Sequence, residues 1–269
     1  MINSYGKPFI MGVSGHRDLP EFNSDTPLTH PNIELEATRA LTHWLNKLDS
    51  TIPVWLYSGC AQGADLLVIR AAEAINRQDK YRNRIRIFPV LAMPAKYLEQ
   101  DFNVKPDSKY GLNYFKKMIL KYKVDLIVVE HTLSEEEYES ATKAGLYENL
   151  RNTLYLTQSC FIAKYSHILL AIWNGETAQP SLTNSDEQAI SGGTSDAVHY
   201  AMNHPVHGAT DYLPKPLHQK DNLAEEPHTL IHQIKVFRSK SPGYCETPVE
   251  FTQIDELGCH HYLYDKENN

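Results

Sequence analysis

The chain has 269 residues, a formal net charge of −7 and a pI near 6.0. A chain of this length can bury a sizeable core without disulfides or metals. Its excess of acid argues against a broad contact with nucleic acid or with an anionic membrane. The cysteines lack the paired spacing of a zinc site, and no apolar run is long enough to span a bilayer. We therefore expect a cytoplasmic protein with reduced thiols, no metal and no membrane segment.

Short apolar runs alternate along the chain with segments of helical periodicity. This alternation is typical of a parallel sheet that is covered on both faces. Strands are predicted at residues 8–15, 53–59, 84–91, 124–130, 167–175 and 229–237. Helices are predicted at residues 32–49, 61–77, 109–122, 143–165 and 193–203. The predicted fold is α/β: a Rossmann-like, doubly wound, mainly parallel sheet of about six or seven strands with helices on both faces.

The remaining segments define the expected organisation around this sheet. Residues 1–240 are predicted to form the Rossmann-like domain, and residues 241–269 an irregular C-terminal extension with an edge strand at 261–264. Residues 176–191 and 205–228 are polar and interrupted by proline, which predicts surface loops.

Two helical segments complete this description. The stretch SEEEYES at 134–140 is typical of a solvated helix start, since acidic side chains favour the first helical turn. The helix at 143–165 is long enough to reach a partner subunit, so we expect a homodimer or a higher homo-oligomer.

Three glycine-containing loops are predicted at one edge of the sheet. Parallel strands bring their carboxyl ends to the same edge, and open α/β sheets bind ligands there, near the switch in strand order. The candidate ligand-binding residues are Ser14, Gly15, His16 and Arg17 after the first strand, Ser58, Gly59, Cys60, Ala61, Gly63 and Asp65 after the second, and Trp173, Asn174, Gly192, Gly193, Thr194, Ser195 and Asp196 after the fifth.

The residue types in these loops suit a phosphate and a ribose. Gly59 lets the backbone leave its strand, Gly63 lets it approach a ligand closely, and the following helix offers free amides. Asp65 either caps those amides or accepts a hydrogen bond from a ribose hydroxyl. Arg17 can bind a phosphate with two parallel hydrogen bonds. Any one of these loops could equally be a structural turn, and none matches the dinucleotide fingerprint or the Walker lysine motif.

Three of the candidates also have simpler interpretations. Cys60 lies near a helix N-terminus and could be a nucleophile, but a small residue packed beneath the loop explains it better. His16 could donate to a phosphate or cap its loop. Trp173 could stack on a base or could end its strand as a buried aromatic residue.

The combination of GVSGHRDL, SGCAQGADLL and SGGTSDAVHYA resembles the SLOG superfamily. That superfamily groups the DNA-processing protein A domain, the lonely-guy cytokinin-activating phosphoribohydrolases and the nucleotide-sensing domains of bacterial conflict systems. The resemblance covers roughly residues 8–240, and its most specific element, SGxAxGAD, is matched by Ser58, Gly59, Ala61, Gly63, Ala64 and Asp65. It implies a Rossmann-like fold and nucleotide contacts from Gly59, Gly63, Asp65, Gly192, Gly193, Thr194 and Ser195, with Ser14, Gly15 and Arg17 as looser matches.

One departure from this resemblance bears on catalysis. Lonely-guy enzymes carry PGGxGTxxE, and aligning the double glycine places Ser195 on the third glycine, Asp196 on the threonine and His199 on the glutamate. The carboxylate that those enzymes need to cleave the N-glycosidic bond is therefore missing, and a histidine does not stabilise an oxocarbenium-like centre as a carboxylate does.

We therefore expect a cytosolic sensor domain that requires no cofactor and acts in bacterial antiphage defence. Its expected ligand is a nucleotide, a cyclic nucleotide or an NAD-derived molecule of the ADP-ribose type, and an effector domain or protein would receive the signal. A lonely-guy-type nucleoside 5′-monophosphate phosphoribohydrolase is the alternative. A single-stranded DNA-binding protein ranks third, because the chain lacks a basic face with interleaved aromatic residues.

Overall fold

The computed structural model describes the chain at residues 7–17, 19, 33–103, 105–129, 133–144, 149–175, 193–201, 229–236, 251–254 and 260–262. The strands are β1 (Phe9–Gly15), β2 (Val54–Ser58), β3 (Ile85–Leu91), β4 (Ile127–Val128), β5 (Ile168–Trp173), β6 (Leu230–Lys235), β7 (Phe251–Ile254) and β8 (His260–Tyr262). The helices in these ranges are α1 (Ile33–Lys47), α2 (Ala64–Asn76), α3 (Ala95–Leu98), α4 (Leu112–Lys121), α5 (Glu135–Ala144), α6 (Asn149–Lys164) and α7 (Thr194–Ala201).

All of these strands belong to one sheet, in the order β4-β3-β2-β1-β5-β6-β7-β8. The strands from β1 to β6 are parallel, and β7 and β8 extend the sheet in antiparallel pairing. The strand order reverses beside β1, which lies between β2 and β5. This is a Rossmann-like, doubly wound sheet, so the predicted fold class is confirmed.

Residues 143 and 144 of the helix predicted at 143–165 belong to α5, and α6 begins at Asn149. Three other elements also differ from the predicted ones. The fourth strand is predicted at 124–130 but spans only Ile127–Val128, because the chain is still turning at Asp125, whose backbone N–H donates to the Tyr122 carbonyl at 2.9 Å. The short helix α3 was not predicted, since a single turn has too little periodicity to recognise. The strand β7 lies in the segment predicted to be irregular.

Other predicted features agree with the structure or fall beyond its described ranges. The helix start predicted at SEEEYES corresponds to α5, and β8 overlaps the predicted edge strand at 261–264. The loops predicted at 176–191 and 205–228 lie outside the described residues. Among the helices that are described, none is long and apolar enough to cross a membrane.

Both faces of the central strand β5 are buried. Ile168, Leu170 and Ile172 belong to the core under α1, α2 and α4, while Leu169 and Ala171 belong to the core under α7 and the end of α6. Side chains alternate between the two faces of a strand. A strand covered on both sides must therefore be apolar throughout, which explains the uninterrupted run ILLAIW.

A buried histidine joins α1 to β6 within this core. The indole N–H of Trp44 donates to Nδ1 of His232 at 2.8 Å, and the His232 side chain is fully buried. Burial, together with the nearby His43 and Lys47, lowers the pKa of His232 to about 3. In mild acid, where the unfolded chain begins to bind a proton at His232, the folded protein therefore keeps this side chain neutral.

This shift predicts a loss of stability in mild acid. Between pH 6.5 and 4.5 the unfolded chain binds a proton at His232 that the folded protein does not, so the free energy of unfolding falls by about 2 kcal/mol. His232→Gln should lack this component, because glutamine can accept the Trp44 N–H and does not titrate. Urea unfolding of both proteins at the two pH values measures the difference. Identical pH dependence in both would contradict the assignment.

Candidate functional site

The switch in strand order places the ends of β1 and β5 side by side. Gly15, the last residue of β1, is in register with Ile172 near the end of β5. The chain then continues into His16 and Arg17 on one side and into Asn174 on the other. Ligands of doubly wound sheets bind at this crevice. We call the ends of β1, β2 and β5, with the residues that contact them, the switch-point site.

His16 ties the loops after β1 and β5 together. Its backbone N–H donates to the carbonyl of Ile172 at 3.1 Å. Its Nε2 lies 3.1 Å from Oδ1 of Asn174 and 3.3 Å from the backbone nitrogen of Asn174. The ring tautomer decides whether Nε2 donates to the former or accepts from the latter. Both predicted residues are therefore in the site and contact each other.

Gly63 allows the loop after β2 to lie directly against the loop after β1. Its φ is +88°, and a Cβ there would come within 2.6 Å of the Arg17 carbonyl oxygen and 2.7 Å of that of His16. The next residue, Ala64, donates its backbone N–H to the His16 carbonyl at 3.1 Å. Glycine is thus required for a close approach, but the approaching group is protein backbone and not the ligand for which the approach was predicted.

Ser58 and Cys60 face the interior of the loop. The Cys60 thiol is buried, lies 3.9 Å from Sδ of Met118 and donates to the Ser58 carbonyl at 3.2 Å. The Ser58 hydroxyl is buried and contacts the carbonyl oxygen of Asp65 at 3.4 Å. Burial raises the pKa of the Cys60 thiol well above its usual value. A protonated, buried thiol is a poor nucleophile, so the structure favours the packing interpretation of Cys60.

Asp65 is a buried carboxyl group at the start of α2. Its Oδ2 accepts the backbone N–H of Ala61 at 3.2 Å, which closes the turn at Gly59 and Ala61. Burial raises the pKa of Asp65 to about 7, although the Ala61 N–H and the charge of Arg17 act in the opposite direction. The carboxylate thus binds an amide of the loop before α2, and not one of the amides of α2 that it was predicted to cap. The predicted contact with a ribose hydroxyl stays a prediction. Asp65 also gives the site a group that changes charge near neutral pH.

Arg17 lies at the centre of a charged cluster that the sequence did not reveal. Its guanidinium is centred 4.2 Å from the ring of Tyr155, and its Nη1 lies 3.6 Å from Oδ2 of Asp101. About a quarter of the Arg17 side chain, 28%, remains exposed. The Tyr155 hydroxyl donates to the same Asp101 oxygen. Arg17, the side chain predicted to bind a phosphate, is therefore partly exposed and is contacted by Tyr155 and Asp101.

Arg151 anchors this cluster from the core. It is completely buried, and its Nη2 donates to Oδ1 of Asp101 and to the carbonyl of Tyr97, the latter at 3.0 Å. Its Nη1 donates to the Thr142 hydroxyl at 3.0 Å. Arg151 thus joins α6 to α3, α5 and the segment that holds Asp101.

The sequence did contain one signal for this anchor. Arg151 and Tyr155 are four residues apart, which places them on one face of a helix. They lie in a segment of α6 whose residues are buried on every side, including Leu154 and Leu156. A charged residue in such a segment requires a buried partner. The partner, Asp101, lies 50 positions earlier, which local sequence patterns cannot reveal.

The start of α7 is capped by its own carboxylate. Oδ2 of Asp196 accepts the backbone N–H of Gly193 at 3.2 Å, while the side chains of Thr194 and Ser195 are buried. A carboxylate at a helix N-terminus occupies the position that would attract an anion. The structure therefore shifts the expected anion contact from this helix towards Arg17. Gly192, the remaining residue predicted there, lies outside the described residues.

Three further predicted residues lie around the site. Trp173 is buried in the core beneath α7, and Ser14 is buried near the end of β1. His199, which aligns with the missing catalytic glutamate, lies on α7 and is partly exposed.

The described residues include no group of three or more His, Cys, Asp or Glu side chains that could hold a metal ion. No family model matches the chain, and no curated protein matches it significantly.

The contact at Gly63 predicts a large effect of adding a methyl group. Gly63→Ala combines an unfavourable backbone conformation with a clash against the loop after β1, and should lower the free energy of unfolding by about 3 kcal/mol or more. Gly175→Ala is the matched control: its φ is also positive, +86°, but among the described residues the nearest atom to its Cβ would be Nε2 of Gln233 at 3.4 Å. We expect the control to cost about 1 to 2 kcal/mol in urea unfolding. Equal losses in the two variants would mean that the loops do not depend on this contact.

Proposed function

We propose that this chain is a sensor domain that binds a nucleotide or an NAD-derived ligand at the switch-point site, with Arg17 as the contact to the ligand phosphate. The observation that carries the proposal is the position of Arg17. It is a partly exposed cation on the loop after β1, at the edge of the sheet where doubly wound folds bind their ligands.

The charges around Arg17 support an anionic ligand. Asp101 already accepts hydrogen bonds from Arg151 and Tyr155, so a single carboxylate faces two guanidinium groups. Asp65 adds only part of a compensating charge, because its pKa of about 7 leaves it partly protonated at neutral pH. An excess of positive charge in a partly buried site favours an anion, and guanidinium groups match phosphate oxygens well.

The groups beside Arg17 suit the rest of a nucleotide. His16 and Asn174 place an imidazole and a carboxamide at the same edge, and both can exchange hydrogen bonds with ribose hydroxyls or with a base. The resemblance to nucleotide-sensing domains of bacterial conflict systems points to the same class of ligand. The proposed role in antiphage defence, through oligomer contacts with an effector, rests on that resemblance alone.

One observation favours a second function, hydrolysis of the N-glycosidic bond of a nucleoside 5′-monophosphate. Asp65 is a buried carboxyl group whose pKa, about 7, lies where a general acid or base works best. The missing glutamate aligns with His199, which is far from Asp65 along the chain, so Asp65 is not the counterpart of that glutamate in the alignment. It would have to serve as a proton donor to the leaving base.

Loss of Arg17 should abolish most of the ligand binding. A thermal-shift screen of nucleotides, cyclic dinucleotides and ADP-ribose derivatives should find a compound that raises the melting temperature, since a ligand at 100 times its dissociation constant stabilises by about 2.7 kcal/mol. Arg17→Ala should weaken binding of that compound by about 10- to 100-fold, because a charge-assisted hydrogen bond is lost.

Arg82→Ala is the matched control for this experiment. Arg82 is an exposed arginine paired with Asp79, and it precedes β3, at the opposite edge of the sheet from the switch-point site. Its variant should bind the compound as the wild type does. Unchanged affinity in Arg17→Ala, or a screen in which no compound shifts the wild type, would overturn the proposal.

An activity assay separates the sensor from the hydrolase. Wild-type protein incubated with nucleoside 5′-monophosphates should release no ribose 5-phosphate. If the hydrolase were correct, turnover would be steady and would fall by about 100-fold or more in Asp65→Asn, which keeps an acceptor for the Ala61 N–H but does not titrate. Asp79→Asn, at an exposed carboxylate remote from the site, should leave any turnover unchanged.

A further inference from the structure

We propose that Tyr155 and Asp101 are positioning residues that hold the Arg17 guanidinium in the orientation in which it binds the ligand anion. This inference rests on the proposed function, because it concerns the same anion contact. It assigns a role to two residues that do not themselves touch the ligand and that lie on other segments of the chain than Arg17.

The first step is the contact between Arg17 and the Tyr155 ring. The guanidinium carbon lies 4.2 Å from the ring centroid, within the range of a favourable cation–π interaction. A planar guanidinium that lies over a ring loses the freedom to swing around its long side chain. The N–H groups in the plane of the guanidinium are the ones with which an incoming oxyanion can pair.

The second step is the long separation from Asp101. At 3.6 Å, Oδ2 of Asp101 attracts Nη1 of Arg17 but is farther away than a normal N–H···O hydrogen bond. The carboxylate therefore attracts the guanidinium to one side without accepting a direct hydrogen bond from it. An anion can join Arg17 without first breaking a hydrogen-bonded salt bridge.

The third step is that Asp101 and Tyr155 are themselves held in place. Asp101 accepts from the fully buried Arg151 through one oxygen and from the Tyr155 hydroxyl through the other. Arg151 is fixed in turn by the Thr142 hydroxyl and by the carbonyl of Tyr97. Through Arg151 and its partners, Asp101 is thus prevented from collapsing onto Arg17.

The side chain of Tyr155 gives a graded test of this arrangement. Tyr155→Phe keeps the ring, and Tyr155→Leu keeps a buried apolar side chain without a ring. Binding of inorganic phosphate is measured by NMR of the backbone amides and of the arginine Nε–Hε groups, with Arg17→Ala used to assign the Arg17 Nε–Hε signal. We expect the phosphate dissociation constant to rise roughly 3- to 30-fold in Tyr155→Leu and to stay within about 3-fold of wild type in Tyr155→Phe.

Tyr81→Leu is the control for loss of packing. Tyr81 is 9% exposed where Tyr155 is 8% exposed, its hydroxyl donates to Asn46, and Lys80 lies over its ring. It lies near the start of β3, at the opposite edge of the sheet. We expect Tyr81→Leu to lose thermal stability as Tyr155→Leu does and to bind phosphate as the wild type does.

The outcomes distinguish this inference from the proposed function. If Arg17→Ala binds phosphate as well as the wild type, the proposed function fails. If Arg17→Ala binds weakly but Tyr155→Leu binds normally, or if Tyr155→Phe and Tyr81→Leu are as weak as Tyr155→Leu, the positioning role fails and the anion contact stands.

Should Tyr155→Leu not fold, Arg17→Lys supplies the second test. Lysine keeps the positive charge but has no planar group to stack on the ring. Weaker phosphate binding, by the same 3- to 30-fold that a lost stacking contact predicts, is the expected result. Binding equal to that of the wild type would overturn the positioning role.

Discussion

The switch-point site depends on one backbone contact, the approach of the loop after β2 to the loop after β1. Gly63 has no Cβ, so the carbonyl oxygens of His16 and Arg17 can lie where a side chain would stand, and Ala64 donates to His16. This contact determines the path of the β1 loop beyond the sheet. The direction in which Arg17 leaves the sheet, and hence its meeting with Tyr155, follows from that path.

Charge is distributed unevenly over this framework. The buried Arg151 and the partly exposed Arg17 share Asp101, and α7 has its own carboxylate in Asp196. Buried charges are stable only when they are paired and hydrogen-bonded, which Arg151 achieves through three neighbouring segments. The proposed anion contact is consequently assigned to Arg17, and the helix N-terminus is a weaker candidate than its glycine and hydroxyl composition indicated.

The elements of the fold were predictable to within a few residues because each signal was local. The strand β5 is a continuous apolar run, and α1, α2 and α4 have apolar periodicity, so their positions follow from sequence spacing alone. The exceptions are short elements. A two-residue β4 and a single-turn α3 contain too few residues for a period to be read, and their bounds are set by hydrogen bonds to neighbouring segments.

By itself, the sequence determined the fold class, the edge of the sheet at which the loops meet, and the presence there of His16, Arg17, Asp65 and Asn174. Only the tertiary structure decided which of those side chains face outward. It buried the Cys60 thiol against the core, used Gly63 for contact between loops, and brought Asp101 and Tyr155 to Arg17. The physical reason is that strand and helix signals arise from neighbours a few residues apart. The partners of a buried charge come from distant segments, so they are decided only when the whole chain folds and brings those segments together.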